Sequence, residues 1–74
     1  MMQFTDFSAI LAQFARTDNV KPDDVLFGAG LDLASVAFLE FILELETVTG
    51  RDIDVETLDA SIITAGQLHE RLFP

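Results

Sequence analysis

The sequence predicts one all-α domain of four helices spanning residues 1–74. Three observations lead there. Apolar residues recur at helix spacing in separate stretches, and nothing alternates as a strand would. Helix start and stop signals bracket those stretches, with Thr64 and Gln67 spaced as a capping box and Gly50 placed as a stop. A chain of 74 residues also has length for only one modest core, since about 60% of its unfolded surface is buried on folding.

The first helix is expected over about Thr5–Arg16. Phe7, Ile10, Leu11 and Phe14 share one face, Thr5 or Asp6 serves as cap, and Thr17-Asp18-Asn19 ends the pattern. Residues 18–34 form a long loop, broken by Pro22, Gly28 and Gly30, with Val25, Leu26 and Phe27 tucked under it. Loops of that length in compact domains are usually functional. Gly28-Ala29-Gly30 lacks the preceding strand and the third glycine of a phosphate-cradling fingerprint, and reads as a flexible turn. The second helix spans Ser35–Thr49. A short third helix covers Val55–Ala60 with Asp54 as cap, and a fourth begins after Thr64, where Ile63 is placed to staple onto Leu68.

Composition narrows the function. Eight Asp and five Glu oppose three Arg and one Lys, a formal net charge of −9. This balance disfavours nucleic acid, which is bound by displacing counterions with Lys and Arg. It favours a positively charged protein partner. Half the residues are apolar, which separates the chain from acidic disordered sequences. There is no Cys to supply a disulfide, a thiolate or a nucleophile. The single His69 cannot make a zinc site alone and reads as a solvated or capping residue. Met1-Met2-Gln3 has no positive region, and Asp6 interrupts the apolar run, so no signal peptide is expected. The stretch Leu31–Leu45 is broken by Asp32, Glu40 and Glu44, so no membrane insertion is expected. A soluble, cytoplasmic monomer is the expectation.

The second helix carries one apolar face too many. At about 100° per residue, Ala37, Val48, Phe41, Leu45 and Phe38 fall in one broad arc, the expected core face. Across a polar stripe of Glu40, Glu44 and Thr47 lies a second group, Val36, Leu39 and Leu43, bordered on its far side by Ser35 and Glu46. Two readings stand. Either the helix is central and buried nearly all round, or the second group is an exposed docking patch rimmed by charge. Ser35 also has two readings: a helix cap through its oxygen, or an accessible hydroxyl open to modification at a helix N-terminus that tolerates phosphate. Ser35 is no self-sufficient nucleophile, because no second His or nearby Lys is there to activate it.

The segment Leu31-Asp32-Leu33-Ala34-Ser35-Val36, followed by Leu39-Glu40 and Leu43-Glu44-Leu45-Glu46, resembles the attachment loop and recognition helix of acyl carrier proteins. Asp52-Ile53-Asp54 and Ile62-Ile63-Thr64 resemble that family's stretch around its short third helix and the start of its fourth. The resemblance covers nearly the whole chain and implies a four-helix bundle of acyl-carrier type. It implies that Ser35 carries covalent 4′-phosphopantetheine, donated from coenzyme A by a phosphopantetheinyl transferase. The arm's thiol would then hold acyl groups as thioesters in a fatty-acid, polyketide or related pathway. The implied partner-facing residues are Asp32, Val36, Leu39, Glu40, Leu43 and Glu46, toward acyl-processing enzymes with basic docking surfaces. The family usually places Asp before the serine and Leu after it, whereas this chain has Ala34-Ser35-Val36, which points to a specialised carrier. The alternative is an unmodified acidic interaction module using the Val36, Leu39 and Leu43 patch.

Overall fold

A computed structural model describes residues 2–74. The first helix, α1, spans Phe4–Ala15. It starts one residue before the expected position, with Gln3 at the cap, so neither Thr5 nor Asp6 caps it. The reason is packing. Phe4 is half-buried, and its ring lies 5.8 Å from that of Phe7, which draws it into the first turn. Phe7, Leu11 and Ala12 are buried, and Arg16 ends the helix with a left-handed φ of 57°.

The connection to the second helix is long but not loose. The amides at the start of the last helix are satisfied by this loop: Ala65 N–H donates to Asp24 O at 2.9 Å, and Gly66 N–H to Pro22 O at 2.8 Å. Leu26 N–H donates to Ile63 O at 2.9 Å, and Leu33 N–H to Leu26 O at 3.0 Å. The loop therefore lies clamped along residues 63–66. Leu26 is fully buried, whereas Val25 and Phe27 remain partly exposed, so only one of the three apolar loop residues tucks under. The turn expected at Gly28-Ala29-Gly30 is present and closed by a hydrogen bond from Leu31 N–H to Val25 O at 2.7 Å, and a Cβ on Gly30 would collide with that oxygen.

The second helix, α2, spans Ser35–Thr49, and Gly50 ends it with φ 69°. A left-handed terminal residue of this kind is most easily supplied by glycine. Where a third helix over Val55–Ala60 was expected, one 3₁₀ turn covers Val55–Thr57. Asp54 caps it as anticipated, accepting Glu56 N–H at 2.9 Å. The turn goes no further because it buries nothing and its next acceptor is taken, since Arg71 Nη1 donates to Thr57 O at 2.8 Å. Asp59 then accepts both the amide and the hydroxyl of Ser61, forming a turn.

The last helix, α3, spans Ala65–Leu72 and opens on the expected capping box of Thr64 and Gln67. Ile63 is 53% exposed rather than closed over the buried Leu68, so the expected staple contributes little. Three α-helices and one 3₁₀ turn thus form an all-helical fold, with no strand among the described residues. The core is built on Phe7, Leu11, Leu26, Phe41, Leu45 and Leu68, with Phe7 and Phe41 edge to face at 5.3 Å. His69 is neither solvated nor a cap. It is half-buried, its Nε2 donates to Met2 O at 2.8 Å, and Phe4 and Phe7 meet its ring edge on. Burying an imidazole there is tolerable because its donor finds an acceptor.

Candidate functional site

The site assembles where the long loop enters α2. Leu33 is buried and anchors the loop, and Ala34 takes an extended conformation as the N-cap. Ala34 O accepts Phe38 N–H at 2.9 Å, closing the first turn. Ser35 is the first helical residue and is exposed. Among the described residues, its hydroxyl takes part in no hydrogen bond, and α2 has no side-chain cap. The capping reading of Ser35 therefore fails. One residue too far along the chain to cap, the side chain projects a free primary hydroxyl at a helix N-terminus that has no acidic residue in its first turn.

The second apolar face of α2 lies open. Val36 is 68% exposed, Leu39 52% and Leu43 61%, so this helix is not buried all round. The inward face holds Phe41, Ile42 and Leu45, with Ala37 and Phe38 half-buried beside them. One position differs from the wheel: Val48, expected in the core arc, is 52% exposed, and the core also takes in Ile42, which the wheel assigns to neither face.

The acidic rim divides. Glu40 and Glu44 are exposed and make no hydrogen bond among the described residues. Glu46 is half-buried, and its Oε2 accepts Ile53 N–H at 2.7 Å, so that carboxylate holds the chain leaving α2. Asp32 is exposed with a left-handed φ of 54° and caps no helix. The structure thus brings Ser35, Val36, Leu39, Glu40 and Leu43 onto one open surface of α2 and commits Glu46 to the fold. Among the described residues no base hydrogen-bonds to Ser35: the one histidine is bound to Met2 O and packed among phenylalanines. Among the described residues, no cluster of His, Cys, Asp or Glu is placed to hold a metal ion.

Sequence reasoning passed over a shallow groove of about 220 Å³ beside Ala34, lined by Phe14, Arg16, Leu31, Asp32 and Ala37 among others. The available signal was an Arg where a helix terminus would ordinarily carry Gly. Phe27, on the loop, lies against the half-buried Phe38 of α2 with ring centroids 5.5 Å apart.

No protein-family model matches the chain, and no curated protein or solved structure matches it either. Among the described residues no helix is long and apolar enough to cross a membrane.

Proposed function

We propose that this protein is a non-enzymatic acyl carrier of the four-helix carrier type, with the 3₁₀ turn at Val55–Thr57 in the place of that type's short third helix. Ser35 is the attachment position for 4′-phosphopantetheine. The observation that carries this reading is the exposed Ser35 hydroxyl, free of any capping duty, at the junction of a clamped loop and α2. The local chemistry suits the group. With no side-chain cap and no acidic residue in the first turn, the N-terminal amides of α2 remain available to a phosphodiester. In loading, the Ser35 oxygen bonds to the pantetheine-bearing phosphorus of coenzyme A and adenosine 3′,5′-bisphosphate leaves. The hydroxyl proton passes to a base of the transferase, which also holds the magnesium. When bound, the group supplies the thiol that this Cys-free chain lacks, and acyl groups travel on it as thioesters.

Val36, Leu39 and Leu43 are the docking anchors for the transferase and acyl-processing enzymes. Glu40 and Asp32 steer basic surfaces toward them. The protein works as a cytoplasmic monomer. Intact-mass measurement after incubation with coenzyme A and a panel of transferases tests the reading. One phosphopantetheine adduct, absent in Ser35→Ala, supports it, and no adduct with any transferase overturns it.

A second reading, an unmodified interaction module, draws on the openness of the Val36, Leu39 and Leu43 patch, which needs nothing from Ser35. It requires partner binding that depends on Leu39 and Leu43 and is indifferent to Ser35→Thr. A carrier would lose modification with that change, because a secondary hydroxyl is bulkier.

A further inference from the structure

The groove beside Ala34 has three properties that belong together. First, it holds both non-glycine residues with positive φ among the described residues, Arg16 at 57° and Asp32 at 54°. Left-handed backbone is costly for residues with a Cβ, and such outliers concentrate at functional positions. Second, its cation is unspent. The one ion pair among the described residues joins Arg71 to Asp59, and the Arg16 guanidinium has no carboxylate or carbonyl partner. By contrast, Arg71 donates to Thr57 O, and Arg51 lies over the Phe73 ring at 5.8 Å. Of the three arginines, Arg16 is the one with neither a carboxylate, a carbonyl nor a ring partner among the described residues.

Third, the groove is small. At about 220 Å³ it falls below the roughly 300–1,000 Å³ typical of free-ligand pockets, a size suited to part of a group already tethered next door. The larger hollow, about 550 Å³ between Met2, Ile10, Val48 and Arg51, lies at the opposite end of α2 from Ser35.

Resting on the carrier reading of Ser35, we infer that Arg16 is a positioning residue for the prosthetic group. Its guanidinium pairs with the phosphodiester at Ser35, and Phe14, Leu31 and Ala37 receive the branched dimethyl portion of the arm next to that phosphate. An Arg–phosphate pair is charge-assisted and planar, which fixes direction as well as distance. Asp32, lining the same groove, repels the phosphate and confines it to the Arg16 side. The arm would then leave Ser35 toward the end of α1, away from the Leu39 and Leu43 anchors, and both could be engaged at once.

The test loads wild type, Arg16→Gln, Arg16→Lys and Arg16→Gly with phosphopantetheine, confirmed by intact mass. It then records phosphorus NMR, proton NOEs and the melting temperatures of apo and loaded forms. Glycine accepts a φ of 57°, so the last variant keeps the fold while removing the charge. The inference expects NOEs from the dimethyl group to Leu31 and Ala37, and a loaded form that melts higher than the apo form. It also expects a phosphodiester resonance displaced from its position in Arg16→Gln and Arg16→Gly, with Arg16→Lys in between. Identical resonances and identical loaded-minus-apo differences in all four proteins would overturn this inference alone. Failure of every transferase to load wild type would overturn the carrier reading and this inference together.

Discussion

Glu46 on α2 and Ile53 beyond it are joined by a 2.7 Å hydrogen bond, the carboxylate oxygen accepting the backbone amide. The chain turns sharply after Gly50, and this bond holds the next segment against the helix it has just left. A carboxylate that looks on a helical wheel like part of a docking rim is therefore a brace of the fold.

Glu46→Ala should lower stability by about 1.5–3 kcal/mol, the range for a hydrogen bond to a charged group. For a domain of this size that is a fall in melting temperature of roughly 6–24 °C. Glu40→Ala, which breaks no hydrogen bond among the described residues, should stay within about 0.5 kcal/mol. Equal losses for the two variants in urea titrations would contradict the distinction.

The two faces of α2 should separate in a mutational series. Leu45→Ala removes a fully buried side chain and should cost about 2–5 kcal/mol. Leu39→Ala and Leu43→Ala should cost well under 1 kcal/mol, yet, on the carrier reading, slow or abolish loading by a transferase, because a few residues at the centre of a docking patch carry most of its energy. If the outer variants unfold as readily as Leu45→Ala, the outward face is not free.

Arg16→Gly should stabilise the unmodified protein by about 1 kcal/mol, since the left-handed conformation costs an L-residue roughly 1–2 kcal/mol and the greater unfolded-state entropy of glycine offsets part of that gain. Denaturant unfolding of the apo protein measures this directly, and a destabilised variant would show that the Arg16 side chain supports the fold.

Asp59 gives a pH prediction whose sign follows from its contacts. The Ser61 hydroxyl, then the Ser61 amide, and more weakly the Arg71 guanidinium favour the ionised form, holding the carboxyl below its ordinary value of 3.8. A carboxylate depressed in the folded state contributes stability that is complete above the unfolded value and is lost as pH falls through the folded one. The Ser61 turn should therefore loosen only below pH 3.8. Side-chain NMR titration should place the Asp59 midpoint under that of Asp59 in Ser61→Ala, and coincident midpoints would refute the assignment.

The local features of the fold could be read from the sequence because neighbours in the chain create them. The span of α2, the stop at Gly50 and the capping box at Thr64 each depend on residues a few positions apart, and each is present. The second apolar face also followed from periodicity, although only the folded chain decides whether anything covers it. What escaped depends on distant partners. The 67-residue separation of His69 from Met2 leaves no periodic trace. Neither does Arg71 capturing Thr57 O, which ends the expected third helix after one turn. Val48 lies open because a wheel gives the direction of a side chain but not the width of the neighbour it meets. Within the candidate site, Ser35 and its aliphatic flank were visible in the sequence. Arg16, nineteen positions earlier and at the end of another helix, was not.

The opposed faces of α2 have a consequence for how such a chain can change over generations. Phe41 and Leu45 answer to the core, while Val36, Leu39 and Leu43 answer to nothing inside the molecule. On the carrier reading, selection can rewrite the outer three to suit a new enzyme without first accumulating a reserve of stability. A duplicated copy could therefore acquire a separate clientele through substitutions at three positions and keep its interior intact.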